Sequence, residues 1–143
     1  MQTDTVKLLK ECNSGIKMGE SAIKKILPHV KNPEFRHYLE VAKNTHATLG
    51  DETHSLLLEN KADTKDPHPI ARFMSDMKIC TKLCAGGSDK TAADLITDGC
   101  DMGIKSIYRY LNQYNDAHQS AKSLARRIIA SEEYLEDKIR DFL

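Results

Sequence analysis

One histidine lies in a mostly apolar helical pattern, and it is the side chain best placed to do chemistry. Between Asn32 and Asn60, apolar and small residues recur in steps of three and four, and His46 occupies the middle of this series. That spacing is typical of the packed face of a helix in a bundle. An imidazole there can be a metal ligand, or a core histidine whose ring is hydrogen-bonded to a carboxylate or a carbonyl. We favour the core histidine.

Thiols are the second group that could do chemistry. The sequence contains Cys12, Cys80, Cys84 and Cys100, all at apolar positions of predicted helices. Cys80 and Cys84 are four residues apart and therefore share one helix face. Two or three thiolates together with His46 would suit zinc or copper(I). The alternative, which we favour, is that the thiols are buried and pack as small hydrophobic side chains.

Composition narrows the class of protein. The length of 143 residues suits a single domain, residues 1–143. The formal net charge is zero, so we expect neither a nucleic-acid nor a membrane partner. No apolar run approaches the roughly 20 residues needed to cross a bilayer, and the first residues contain no apolar signal-peptide segment. We therefore expect a cytoplasmic protein with reduced thiols. No nucleophile or phosphate-loop motif is present, which favours a protein that is not an enzyme.

Five helices position these side chains in the predicted structure, over residues 3–27, 32–60, 67–84, 89–114 and 116–142. Asn32 and Ser88 are the expected N-caps of the second and fourth helices. Asp116 with Gln119 resembles a capping box at the start of the last helix. No segment alternates apolar and polar residues, so we predict an all-α fold without strands.

The lengths of the helices predict how they are arranged. Four of them have about 25 residues, or ~37 Å at the usual rise per residue. The short link around Pro28 makes the first two helices antiparallel neighbours. If the short third helix returns along the bundle, the fourth runs parallel to the second, which gives a four-helix bundle with one long crossover. A plain array of five helices is the alternative.

With this helix order the chain resembles the small bacterial ferritin-like proteins of unknown function, distant relatives in fold of ferritin and rubrerythrin. The resemblance rests on GIKMGESAIKKIL in the first predicted helix, NPEFRHYLEVAKNTHATL in the second, and LCAGGSDKTAADLITDGCDMGIKSIYRYL after the linker. It implies a ferritin-like up-down four-helix bundle with a short fifth helix. The founding members of this class hold two irons inside the bundle.

The resemblance also implies candidate ligands for iron, manganese or zinc. They are carboxylates and an imidazole, on four of the predicted helices: Glu20, Glu40, His46, Asp101 and Glu132.

The ligand pattern departs from the di-iron pattern in two places. Lys43 stands three residues before His46 where a carboxylate is required, and Leu135 stands three residues after Glu132 where a histidine is required. Folding the first hairpin about its turn also places His46 beside Cys12 or Asn13, ~9 Å along the axis from Glu20. We therefore expect no intact di-iron centre and no resident cofactor.

These patterns leave three hypotheses about function. The first is a non-catalytic cytoplasmic bundle that self-associates, as a homodimer for example, or binds a protein partner through a helix face. The second is a metal-binding storage or redox protein that uses a degenerate site in the bundle core, with iron, manganese or zinc. The third is a carrier of a small molecule inside the bundle. The first agrees best with Lys43 and Leu135 at the inherited metal positions.

Overall fold

A computed structural model describes residues 2–63, 83 and 86–143 of the chain. Over these residues every regular element is helical, which confirms the all-α prediction. The four long helices are α1 (Asp4–Ile26), α2 (Pro33–Glu59), α3 (Asp89–Gln113) and α4 (Gln119–Ile139). Short 3₁₀ turns at Leu27–His29 and Arg140–Phe142 follow α1 and α4. Apart from Leu83, which is helical, the predicted helix over 67–84 lies outside the described residues.

Local capping explains where three of the helices begin. The hydroxyl of Thr3 accepts from the Val6 amide at the start of α1. The Asn32 side chain accepts from two amides of the first turn of α2, and Pro33 takes the first helical position. Ser88 caps α3 in the same way. These side chains satisfy amides that have no partner within the helix, so the predicted starts are close to those observed.

The predicted capping box at Asp116 and Gln119 is wrong, because α4 begins at Gln119 and its N-cap residue, His118, makes no side-chain capping hydrogen bond. The Asp116 amide donates to the carboxylate of Asp4 over 3.1 Å, and the His118 amide donates to the hydroxyl of Thr5 over 2.8 Å. The start of α1 therefore fixes the turn that precedes α4. No neighbouring side chain in the sequence could reveal this.

The helix ends also fix the directions of the four helices. The amides of Lys31 and Asn32 both donate to the Asp89 carboxylate, each over 2.8 Å, so α2 and α3 begin at the same end of the bundle. The contacts of Asp4 and Thr5 place the starts of α1 and α4 together at the other end. Helix α1 packs on α2 and α3, and α4 packs on the same two helices. Each of these four pairs is therefore antiparallel, and Asn60 and Ser88 lie at opposite ends of the bundle.

Within the part of the chain that the structure describes, the apolar core is divided into two clusters, one near each end. The cluster at the start of α2 contains Phe35, Leu39, Leu135 and Ile139, and Phe35 stacks on Phe142 with ring centroids 4.8 Å apart. The cluster at the opposite end contains Leu8, Leu9, Leu57 and Leu124, among others. Burial of these large side chains supplies most of the stabilisation of the bundle. Between the two clusters lies a layer of polar side chains.

Candidate functional site

All four helices contribute to the polar layer in the middle of the bundle. Its centre is His46 on α2, which is only 2% exposed. Its Nε2 lies 2.7 Å from Oε1 of Glu132 on α4, and its Nδ1 lies 2.8 Å from the carbonyl oxygen of Ala42, one turn earlier on α2. The expectation that His46 is a core histidine held by a carboxylate and a carbonyl agrees with this geometry. Both ring nitrogens are engaged within the protein.

Two glycines face this pair, and one of them makes room for it. A Cβ atom at Gly19 on α1 would lie 2.8 Å from Nε2 of His46, closer than a side-chain carbon can approach. A Cβ atom at Gly103 on α3 would lie 4.0 Å from the carboxylate carbon of Glu132, which is ordinary contact. The imidazole therefore packs directly on the α1 backbone. This close approach requires glycine at position 19 but not at position 103.

The environment of His46 favours its charged form. Burial disfavours the charge, but the hydrogen bond and charge of Glu132, the Ala42 carbonyl and the charge of Glu20 outweigh that effect and raise the pKa of His46 above its usual value. The imidazolium then donates from Nδ1 to Ala42 and from Nε2 to Glu132. Because both nitrogens are donors in this state, neither offers a lone pair to a metal ion.

The thiol of Cys100 on α3 belongs to the same layer. It donates a hydrogen bond to Glu132, and burial together with the nearby carboxylates raises its pKa well above the usual range. Burial also raises the pKa of Cys12 to about 12, with a smaller contribution from Glu11. Both thiols are free, buried and protonated, so neither is a thiolate ligand or a nucleophile at neutral pH. The other two candidate thiols, Cys80 and Cys84, lie outside the described residues.

Glu136 is a member of the layer that the sequence analysis missed. It lies one turn after Glu132 on α4 and is hydrogen-bonded to Asp101 on α3. Burial, that hydrogen bond and the charge of Asp101 raise the pKa of Glu136 to about 7, although Arg140 opposes the shift. The i, i+4 spacing of Glu132 and Glu136 was the available signal, since it places two acids on one helix face.

The structure brings some of the predicted ligands together and leaves others apart. His46 and Glu132 are in contact, and the charge of Glu20 acts on His46 although its carboxylate lies 3.5 Å from Lys24. Asp101 is bonded to Glu136 at the edge of the layer. Glu40 is exposed on α2.

The predicted register of α1 against α2 is wrong, because Gly19 rather than Cys12 or Asn13 lies beside His46. The 3₁₀ turn Leu27–His29 extends the helical segment of α1 past Ile26. The chain therefore reverses direction later than the predicted turn around Pro28. Glu20 follows Gly19 directly, so along the bundle axis it is closer to the level of His46 than the predicted ~9 Å.

A dinuclear metal centre does not fit these residues. Over residues 2–63, 83 and 86–143, no group of three or more His, Cys, Asp and Glu side chains is arranged to hold a metal ion. Lys43 and Leu135 occupy two positions that such a centre needs, and both nitrogens of His46 are already bonded. The second expected function therefore finds no support in the geometry of the layer.

Stability is expected to fall as the pH rises from about 4.5 to 8, because the folded protein retains two protons that the unfolded chain releases. Glu136 has its pKa raised from 4.5 to about 7, and His46 has its pKa raised above 6.5. The stabilising contribution of each group is complete below its unfolded pKa and is lost as pH rises through its folded pKa. Urea denaturation measures the free energy of unfolding across this pH range. Below pH 7 this free energy should depend less on pH in Glu136→Gln than in the wild type, and above pH 6.5 it should depend less on pH in His46→Leu. Parallel profiles for all three proteins would contradict this assignment.

Comparisons with known proteins do not assign a family. No family model, curated protein or solved structure matches the chain. Among the helices of the described residues, none is long and apolar enough to span a membrane.

Proposed function

We propose that this protein is a non-catalytic, cytoplasmic ferritin-like bundle that acts through its outer surface, by binding a second copy or another protein. The observation that carries the proposal is the double engagement of His46, whose Nε2 and Nδ1 are bonded to Glu132 and Ala42. In a ferritin-like protein an imidazole at this position would bind the metal, but here both nitrogens of the imidazole are bonded to other groups of the protein.

The helix directions support the ferritin-like class. Helices α1 and α4 run in one direction and α2 and α3 in the other, as the contacts of Asp4 and Asp89 require. A chain that leaves α2 at one end and enters α3 at the other needs a long connection, which is the defining feature of ferritin-like bundles.

The chemistry of the interior supports a non-catalytic role. The thiols of Cys12 and Cys100 have raised pKa values and are buried, so they lack the thiolate character and access that a reactive cysteine needs. The imidazole of His46 packs on Gly19, which leaves no space beside Nε2 for a substrate. Two unpaired thiols are also what a reducing compartment such as the cytoplasm would preserve.

Metal analysis of tag-free protein tests this proposal. Cells are grown with added iron, manganese and zinc, and metal content per chain is measured for the wild type and for His46→Gln. We expect far less than one metal ion per chain in both proteins. We also expect each added metal to shift the midpoint of thermal unfolding by the same amount in the wild type and in His46→Gln. Asp51→Asn, an exposed carboxylate change on α2, controls for binding at the surface. One or two ions per chain in the wild type, lost in His46→Gln but kept in Asp51→Asn, would overturn the proposal.

A further inference from the structure

The outer face of α3 carries an asymmetric stripe of charge. Asp94, Asp98, Met102, Lys105 and Arg109 are all exposed, and their spacing of four, four, three and four residues places them along one side of the helix. The stripe is acidic in its first half and basic in its second half. At its middle, Met102 is 65% exposed and presents a large apolar side chain to solvent between the acidic and the basic half.

The charges of this stripe have no counterpart within the described chain. Over the described ranges, Asp94, Asp98, Lys105 and Arg109 form no ion pair.

Helix α4 also carries basic residues followed by acidic ones, but several of its charges are paired within the chain. Arg127 binds Glu52 through two hydrogen bonds of 2.6 and 2.8 Å, and Asp137 pairs with Arg140. By contrast, all four charges of the α3 stripe remain available to a partner over the described residues.

A second copy of the same stripe, placed antiparallel, complements it. Asp94 and Arg109 are equally far in sequence from the point between Asp101 and Met102, and so are Asp98 and Lys105. A two-fold axis through that point sets Asp94 opposite Arg109 of the second copy and Asp98 opposite Lys105 of the second copy. The same axis brings the two Met102 side chains together and removes them from water. A parallel arrangement would instead set like charges opposite one another.

We propose that two copies of this chain associate through the outer faces of their α3 helices, antiparallel about a two-fold axis beside Met102. This inference rests on the proposed surface function and names its partner and its face. Four exposed ion pairs and one apolar contact make a weak dimer whose affinity falls with salt. The charges mainly set the direction and register of the two helices.

Charge-reversed variants test the interface. The first variant is Asp94→Arg with Asp98→Lys, and the second is Lys105→Asp with Arg109→Asp. Sedimentation equilibrium over a concentration series should show dimerisation of the wild type and at least about tenfold weaker self-association of each variant. Mixing the two variants should restore a heterodimer, and combining all four substitutions in one chain should restore the homodimer. Glu40→Lys with Asp51→Lys, at exposed sites on α2, makes the same charge change as the first variant and should dimerise like the wild type.

Three outcomes would overturn the inference: a wild type that stays monomeric, a dimer that neither reversal weakens, and a mixture that associates no better than its components. All the substituted residues are exposed, and unfolding midpoints within a few degrees of the wild type will confirm that each variant is folded. A monomeric wild type would leave the proposal of a closed, metal-free interior intact, because metal content is measured separately.

Discussion

Replacing Glu132 with leucine is expected to lower the free energy of unfolding by about 3 kcal/mol at pH 6, because it leaves a buried imidazolium without its acceptor. The side chains of His46 and Glu132 are only 3% and 12% exposed, so water cannot take the place of the lost carboxylate. The Cys100 thiol loses its acceptor in the same substitution. At higher pH the cost should shrink, since His46 can then release its proton. Urea denaturation at pH 6 and pH 8 measures both effects.

The double substitution His46→Leu with Glu132→Leu shows whether this cost belongs to the pair. Replacing both members of a buried ion pair with apolar side chains is often close to neutral, so the double variant should be more stable than Glu132→Leu alone. We expect a coupling energy of about 2 kcal/mol from the double-mutant cycle. The exposed pair Glu52 and Arg127, replaced by alanine in a parallel cycle, should give less than about 1 kcal/mol. Additive effects at His46 and Glu132 would show that the contact stabilises little.

The parts of this structure that the sequence predicted well are those set by local chemistry. The starts of α2 and α3 follow from the predicted caps Asn32 and Ser88, and the range of α1 follows from its periodic apolar positions. All of these act within a turn or two of the chain. The burial of His46 was predictable for the same reason. Its spacing from Leu39 and Leu49 places it on the packed face of α2.

The parts that were missed depend on contacts between helices. The residues that contact His46 depend on the register of α1 and α4 against α2 along the bundle axis. The register of α1 depends in turn on the 3₁₀ turn after Ile26. Glu132 and Glu136 have the spacing of a solvated acidic face, and the raised pKa of Glu136 depends on its burial and on the position of Asp101 on α3. The start of α4 depends on Asp4, more than a hundred residues earlier. Periodicity within one helix contains no information about these contacts.

Gly19→Ala is expected to destabilise the protein by about 2 kcal/mol, even though alanine is the better helix former, because the new methyl group displaces the His46 ring. The ring cannot simply turn away, since its two nitrogens are held by Glu132 and Ala42. At two other glycines we expect alanine to raise the free energy of unfolding instead. Gly15 and Gly99 have no atom within 4 Å of an added Cβ, so alanine at either position should stabilise the protein by up to about 1 kcal/mol. Gly103→Ala tests the same layer where the contact is ordinary, and it should be neutral or stabilising.

Whether Gly19→Ala lowers or raises the free energy of unfolding should depend on the side chain at position 46. In a His46→Ala background the ring that clashes with the new methyl group is gone, so Gly19→Ala should become stabilising, like Gly15→Ala in the wild type. Thermal and urea unfolding of the four proteins in this cycle measure the reversal. If Gly19→Ala destabilises the protein equally in both backgrounds, the close approach of α1 to the His46 ring is not the reason for glycine at this position. A reversal would instead show that the imidazole, packed on a bare stretch of backbone, sets the distance between α1 and α2.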